Sequence, residues 1–155
     1  MMLAEILLPK LSEWRPAGAG RHSWAQSADG WSIHLAADKA DSLSCLVWEL
    51  ALSRDGTPPT DLTLAGWAAG VVDRVSGLME PLKVYEIDAT RDVAILRSES
   101  PTRKGDVRTY YEVVLTGLNR AVVHRYSGSS TPGREQIAFA LTHEVLTKLA
   151  GDIAG

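Results

Sequence analysis

From Leu43 to Ser53 the chain is apolar at most positions, and no other segment restricts its fold as strongly. Read as a strand, the segment puts Leu46, Trp48, Leu50 and Leu52 on one face and Cys45, Val47 and Ala51 on the other. A strand apolar on both faces is covered on both, or sits at an interface. The fold therefore has to cover this segment within the chain or lay it against a partner. Cys45 is the one cysteine, so there is no internal disulfide and any metal ligation falls to His, Asp and Glu. With no basic residue adjoining it, the thiol reads as a small buried hydrophobe.

The neighbouring patterns supply partners for that strand. Trp31, Ile33 and Leu35 alternate with Ser32 and His34, the period of a half-buried strand. Before it, Ser23–Gln26 leads into Ser27-Ala28-Asp29-Gly30, where Asp-Gly accepts the positive φ of a tight hairpin. After it, Arg54–Pro59 is a loop, and Thr60 or Asp61 is placed to cap a helix. Leu64, Trp67, Ala68, Val71, Val75, Leu78 and Met79 then follow helical spacing until Pro81 stops it. Four strands come next. Lys83–Asp88 and Val93–Ser98 flank one connection; Asp106–Thr116 and Arg120–Ser127 flank Gly117-Leu118-Asn119. Glu99–Gly105 between the two pairs reads as an exposed polar loop.

Ile137, Leu141, Val145, Leu149 and Ile153 recur every four residues, which predicts a closing helix from about Arg134 to Ile153. Its apolar stripe, widened by Phe139, Leu146 and Ala150, is broader than one sheet face requires. At the start, Leu3, Leu7, Leu11 and Trp14 suit a short amphipathic helix that Pro9 is expected to interrupt. Residues 15–20 read as a flexible connector. The expected architecture is α+β over residues 1–155. It has an antiparallel sheet of six to seven strands, with a central and a C-terminal helix on one face.

Charge and motif content narrow the chemistry. A net charge of −3 gives no global basic field for nucleic acid or an acidic membrane. The apolar start lacks a basic leader region and is too short to span a bilayer, so a cytoplasmic location is the expectation. His22, His34, His124 and His143 stand at no recognised metal-ligand spacing, and Thr142-His143-Glu144 lacks the second histidine of a zinc motif. His143 reads as a helix-surface residue; His34 and His124 could share a sheet face. Gly18-Ala19-Gly20 has neither the preceding strand nor the third glycine of a dinucleotide site. The Ser127–Gly133 loop offers hydroxyls and N–H groups at a helix start, where they would cap the helix or hold an anion.

Two groups of residues remain as candidates for recognition. Arg97, Arg103, Lys104, Arg108, Arg120 and Arg125 accompany Tyr110, Tyr111 and Tyr126 in one four-strand region. These are ingredients of a single-strand nucleic-acid platform, but no aromatic RNA-binding motif joins them and acidic residues dilute the charge. Nucleic acid is not the expected partner. Trp31 and Trp48 could oppose or neighbour one another on adjacent strands and line a pocket or groove. The candidate binding set is thus Trp31, Trp48, His34, His124, Tyr110, Tyr126 and Arg108. No catalytic residue, metal or cofactor is indicated.

Helix, three strands, helix, strands, helix, in a small acidic chain, resembles the type III secretion chaperone-like domains. The resemblance rests on element order and carries no residue with it. The surplus of apolar surface on Leu43–Leu52 and the final helix, with no catalytic residue indicated, points to a non-catalytic, chaperone-like module that binds protein through an apolar surface, as a homodimer. A helix-grip protein closing over a small apolar ligand and an enzyme using His34 or His124 are the alternatives.

Overall fold

A computed structural model describes residues 2–129 and 133–155 of the chain. Among them, helix α1 (Leu3–Ser12) precedes a meander of β1 (His22–Ala28), β2 (Trp31–Ala40) and β3 (Ser44–Arg54). Helix α2 (Leu64–Arg74) carries the chain to the far edge of the sheet. From there β4 (Leu82–Asp88), β5 (Val93–Ser98), β6 (Thr102–Lys104), β7 (Val107–Thr116) and β8 (Arg120–Gly128) lead back toward β3. Strands β9 (Arg134–Ile137) and β10 (Phe139–Thr142) and helix α3 (His143–Ala154) close the chain.

The sheet is antiparallel throughout and follows the order β1-β2-β3-β8-β7-β5-β4. Three short strands extend it: β6 lies along β7, β9 along β8 and β10 along β3. The fold is α+β with its helices on one face of a large antiparallel sheet. Trp67 of α2 packs on Trp31 of β2 with ring centroids 6.1 Å apart. The Trp67 indole N–H donates to the carbonyl of Ile153 in α3 at 2.8 Å. Those two contacts tie sheet, central helix and closing helix together, and the buried leucines of α1 complete the same core.

Several local expectations are corrected by the packing. Helix α1 runs through Pro9 without interruption, with Leu3, Leu7 and Leu11 buried. Pro9 and Glu5, whose carbonyl loses its helical donor, are both exposed, so water can take the missing bond. Helix α2 is capped by Thr63, whose hydroxyl accepts the Gly66 N–H at 3.0 Å, not by Thr60 or Asp61. It ends at Arg74 instead of Met79, because Val75 turns extended and the chain must approach α3 closely at Gly77. A Cβ there would lie 3.1 Å from a Val145 methyl.

The largest correction concerns residues 134–142, which are strand and not helix. A spacing of four residues is one helical turn and also two strand periods, so Ile137 and Leu141 fit both. Phe139 between them settles the period at two, and all three point toward the core, opposite Arg125, Val47 and Cys45. Helix α3 starts only where Thr142 caps it, accepting the Val145 N–H at 3.2 Å. His143, the first helical residue, is 4% exposed and not on the surface. Burial and the Arg15 charge push its pKa down.

Strand β3 also departs from simple alternation. Ala36 pairs with Glu49 and Ala37 with Val47, which leaves Trp48 as an extra residue in a bulge. The bulge resets the pleat, so Cys45, Val47, Leu50 and Leu52 are all buried while Leu46 and Trp48 are half-buried. The expected grouping of Leu46 and Trp48 with Leu50 and Leu52 is thereby split. Burial pushes the Cys45 thiol up to about 11, with Asp41 adding to it.

Below this bulge the sheet forks. The β3–β8 ladder extends only from Leu50↔Val123 to Ser53↔Arg120. Past Leu50 the two strands part, β9 enters the gap along β8, and the chain reverses after Ile137 so that β10 leaves along β3. The Gln136 amide donates across the gap to the Trp48 carbonyl at 2.9 Å. Among the described residues no helix is long and apolar enough to cross a membrane.

Candidate functional site

Directly opposed residues of an antiparallel ladder point to the same face. By that rule Lys83, Arg97, Glu112 and His124 form one row across β4, β5, β7 and β8, on the face opposite the helices. Tyr110, Tyr126 and Gln136 form the next row on that face. The sheet has therefore buried one side and left the other open, and the open side carries most of the charged and aromatic groups.

Glu112 is the centre of this face and is only 4% exposed. The Arg97 guanidinium donates to its Oε2 at 2.8 Å. Arg134, delivered from β9, donates to Oε2 at 2.8 Å and to Oε1 at 3.3 Å. Burial pushes the Glu112 carboxyl up, but the hydrogen bonds from Arg134 and Arg97 outweigh it and hold the group below its ordinary pKa. The Glu112 bond in turn raises the pKa of Arg134. Both charges stay in place at neutral pH.

The two arginines are also stacked on tyrosines. Arg97 lies 4.0 Å from the ring centre of Tyr85, and Arg134 lies 3.7 Å from that of Tyr126. Arg134 donates a further bond to the Tyr110 hydroxyl at 3.2 Å, and the rings of Tyr110 and Tyr126 sit 5.9 Å apart. Burial raises the Tyr126 pKa, so its hydroxyl keeps its proton. At the fork, His124 Nε2 meets Glu49 at 2.8 Å and His124 Nδ1 meets the Tyr126 hydroxyl at 3.1 Å.

A second Glu–Arg pair lies directly behind this one, on the helix-covered face. Arg125 donates to both oxygens of Glu80 at 3.0 Å each, and Ser98 and Thr102 donate to the same carboxylate at 2.8 Å each. Thr109 takes another Arg125 donor, and the Tyr111 ring stacks 4.0 Å from the guanidinium. Burial works against ionisation of Glu80, but its donors prevail and its pKa is lowered.

The residues singled out from the sequence separate accordingly. Tyr110, Tyr126 and His124 meet in one network. His34 is exposed on the open face of β2, but β3 stands between its strand and that of His124. Arg108 lies at the end of β7, beside a depression of about 390 Å³ lined by Lys83, Tyr85, Arg97, Arg103 and Tyr110 among others. Trp31 is 5% exposed and belongs to the core. It pairs with Arg54 across the ladder and does not oppose Trp48, which sits at the bulge 3.9 Å below the Arg21 guanidinium. The Ser127–Gly133 segment leads into β9, so there is no helix start for it to cap or to hold an anion. Residues 130–132 of that loop lie outside the described residues.

Glu112, Arg134 and Glu49 were not legible as site residues. The signal for Glu112 was its phase, since it alternates with Tyr111, Val113 and Leu115 and so belongs to the side away from the core. Arg134 carried no such signal while its segment read as helix.

In chemical terms this face holds and presents charge. Both nitrogens of His124 are engaged, one with Glu49 and one with the Tyr126 hydroxyl, and Glu112 is fixed as an anion. Among the described residues no group of three His, Cys, Asp or Glu side chains is arranged to hold a metal ion. No protein-family model, no curated protein and no solved structure matches the chain.

Proposed function

We propose that the protein is a non-catalytic protein-binding module whose working surface is the helix-free face of its sheet. The observation that carries this reading is the clamped Arg–Tyr network around Glu112. It leaves Tyr85 55% exposed beside the depression at Arg103 and Arg108. Tyrosine and arginine are the side chains that interface cores and binding hot spots enrich. A network already held in place loses little side-chain entropy when a partner arrives. Much of the apolar surface of β3 and α3, by contrast, packs within the chain: α3 lies against β3, α1 and α2, while Leu46 and Trp48 stay half-buried.

The test is site-specific photocrosslinking in the protein's own host. A photoreactive residue at Tyr85 is expected to yield polypeptide adducts, and one at Glu144, exposed on α3, is not. Adducts at Glu144 with none at Tyr85 would sink the proposal. Sedimentation over a range of concentrations shows whether the partner is a second copy.

A small apolar ligand is the second reading, favoured by a depression of about 460 Å³ where Met2, Leu3, Trp31 and Ala154 converge between α1, α3 and the β1–β2 turn. Native mass spectrometry of the protein from its host reads a retained ligand directly; a bare mass rejects it.

A further inference from the structure

We infer that the β6–β7 arm recognises an acidic segment of a polypeptide partner, with Arg103 and Arg108 as the carboxylate-binding pair; this rests on the protein-binding reading above. Arg103 and Arg108 are directly opposed in the three-pair β6–β7 ladder. Like charges directly opposite one another in a sheet repel, and natural ladders relieve them with a counter-charge. Here neither guanidinium has an ion pair among the described residues, and both are exposed. Lys83 and Arg97 stand on the opposite wall of the same depression, where Glu99 is the one carboxylate among the described lining residues. Arg97 is already matched by Glu112, so Lys83, Arg103 and Arg108 are the three cations there without an ion pair among the described residues, against one carboxylate, in a chain whose net charge is −3.

Cβ atoms of directly opposed residues lie about 5 Å apart, so both guanidinium forks can close on one carboxylate, with Lys83 reaching the next. The observations favour a peptide over single-stranded nucleic acid. Base stacking needs free aromatic faces, and guanidinium groups already cover Tyr85 and Tyr126.

Fluorescence anisotropy at low salt with labelled hexaglutamate, hexaglutamine and oligothymidylate tests the inference. The wild type is expected to bind hexaglutamate, to ignore hexaglutamine, and to bind oligothymidylate more weakly. Arg103→Gln with Arg108→Gln should weaken hexaglutamate binding at least about tenfold. Arg91→Gln with Lys104→Gln removes the same charge elsewhere, Lys104 being on the other side of the arm, and should change it less than about twofold. Circular dichroism checks that each variant is folded. Equal losses in the two double variants, tighter binding of oligothymidylate, or no binding of hexaglutamate each overturn the inference. None of those results touches crosslinking at Tyr85, which decides the binding-module reading separately.

Discussion

Glu80 and Glu112 are two nearly buried carboxylates, each held by arginine, on opposite faces of the same sheet. Around Glu80 the donors enclose the carboxylate. Arg125 reaches both oxygens, Ser98 and Thr102 add theirs, and the guanidinium, stacked on Tyr111, keeps only 7% of its side-chain surface exposed. Around Glu112 the two guanidinium groups come from separate segments and keep 26% and 38% of their side-chain surface exposed. One pair closes a core and the other equips a surface. The difference lies in the cover: helices and the loop before β4 seal one face, and among the described residues no helix lies over the other. A buried ion pair is costly to desolvate and costlier still to break.

The sharpest way to break the comparison is to remove one arginine from the closed pair. Arg125→Leu leaves Glu80 buried without its counter-charge and is expected to cost about 3–5 kcal/mol in urea unfolding. Adding Glu80→Leu should return part of that loss, and no return would show that packing, not charge, decides the site. Glu112→Gln is expected to cost less, about 1–3 kcal/mol, because its arginines can turn to water. It should also speed hydrogen exchange in β9, which Arg134 ties to β7, without changing exchange in α3.

Acid sharpens the comparison further. Both carboxyls have folded pKa values below the ordinary value near ~4.3. Their contribution is therefore complete above that value and is lost as the pH falls through the lowered ones. Stability should be level from about pH 7 to pH 5 and decline below about pH 4, with Glu112→Gln declining less steeply than the wild type. A decline beginning near pH 6 would instead implicate a histidine. The smallest effect is expected from Arg103→Gln with Arg108→Gln, which should shift stability by no more than about 0.5 kcal/mol because the arm is exposed and neither arginine has an ion pair among the described residues. A larger loss would assign the arm a structural role.

Much of the fold was legible wherever a signal was local. Asp29 and Gly30 adopt positive φ, as a tight Asp-Gly hairpin demands, and the hairpin forms there. Trp67, Ala68 and Val71 follow one helical face and are buried. Tyr111, Val113 and Leu115 keep strand phase and face the core. The site was legible only in part. Tyr110, Tyr126 and His124 were singled out, yet the carboxylates that organise them were not, because an acidic residue in a strand looks the same whether solvated or clamped.

By itself, then, the sequence determined where the seven long strands, their turns and most helical turns lie, and which side of β7 is apolar; the short β6, inside the segment that read as a polar loop, was not among them. Those properties follow from backbone preference and from the period of the side chains, both readable within a few residues. Tertiary structure decided the bulge at Trp48, the strand state of residues 134–142 and the fork they fill. It also decided which charges meet: Arg134 and Glu112 are 22 residues apart, Arg125 and Glu80 are 45, and His124 and Glu49 are 75. Such pairings depend on strand order and register, which are set by how the whole core closes and leave no mark on either partner's neighbours in the chain.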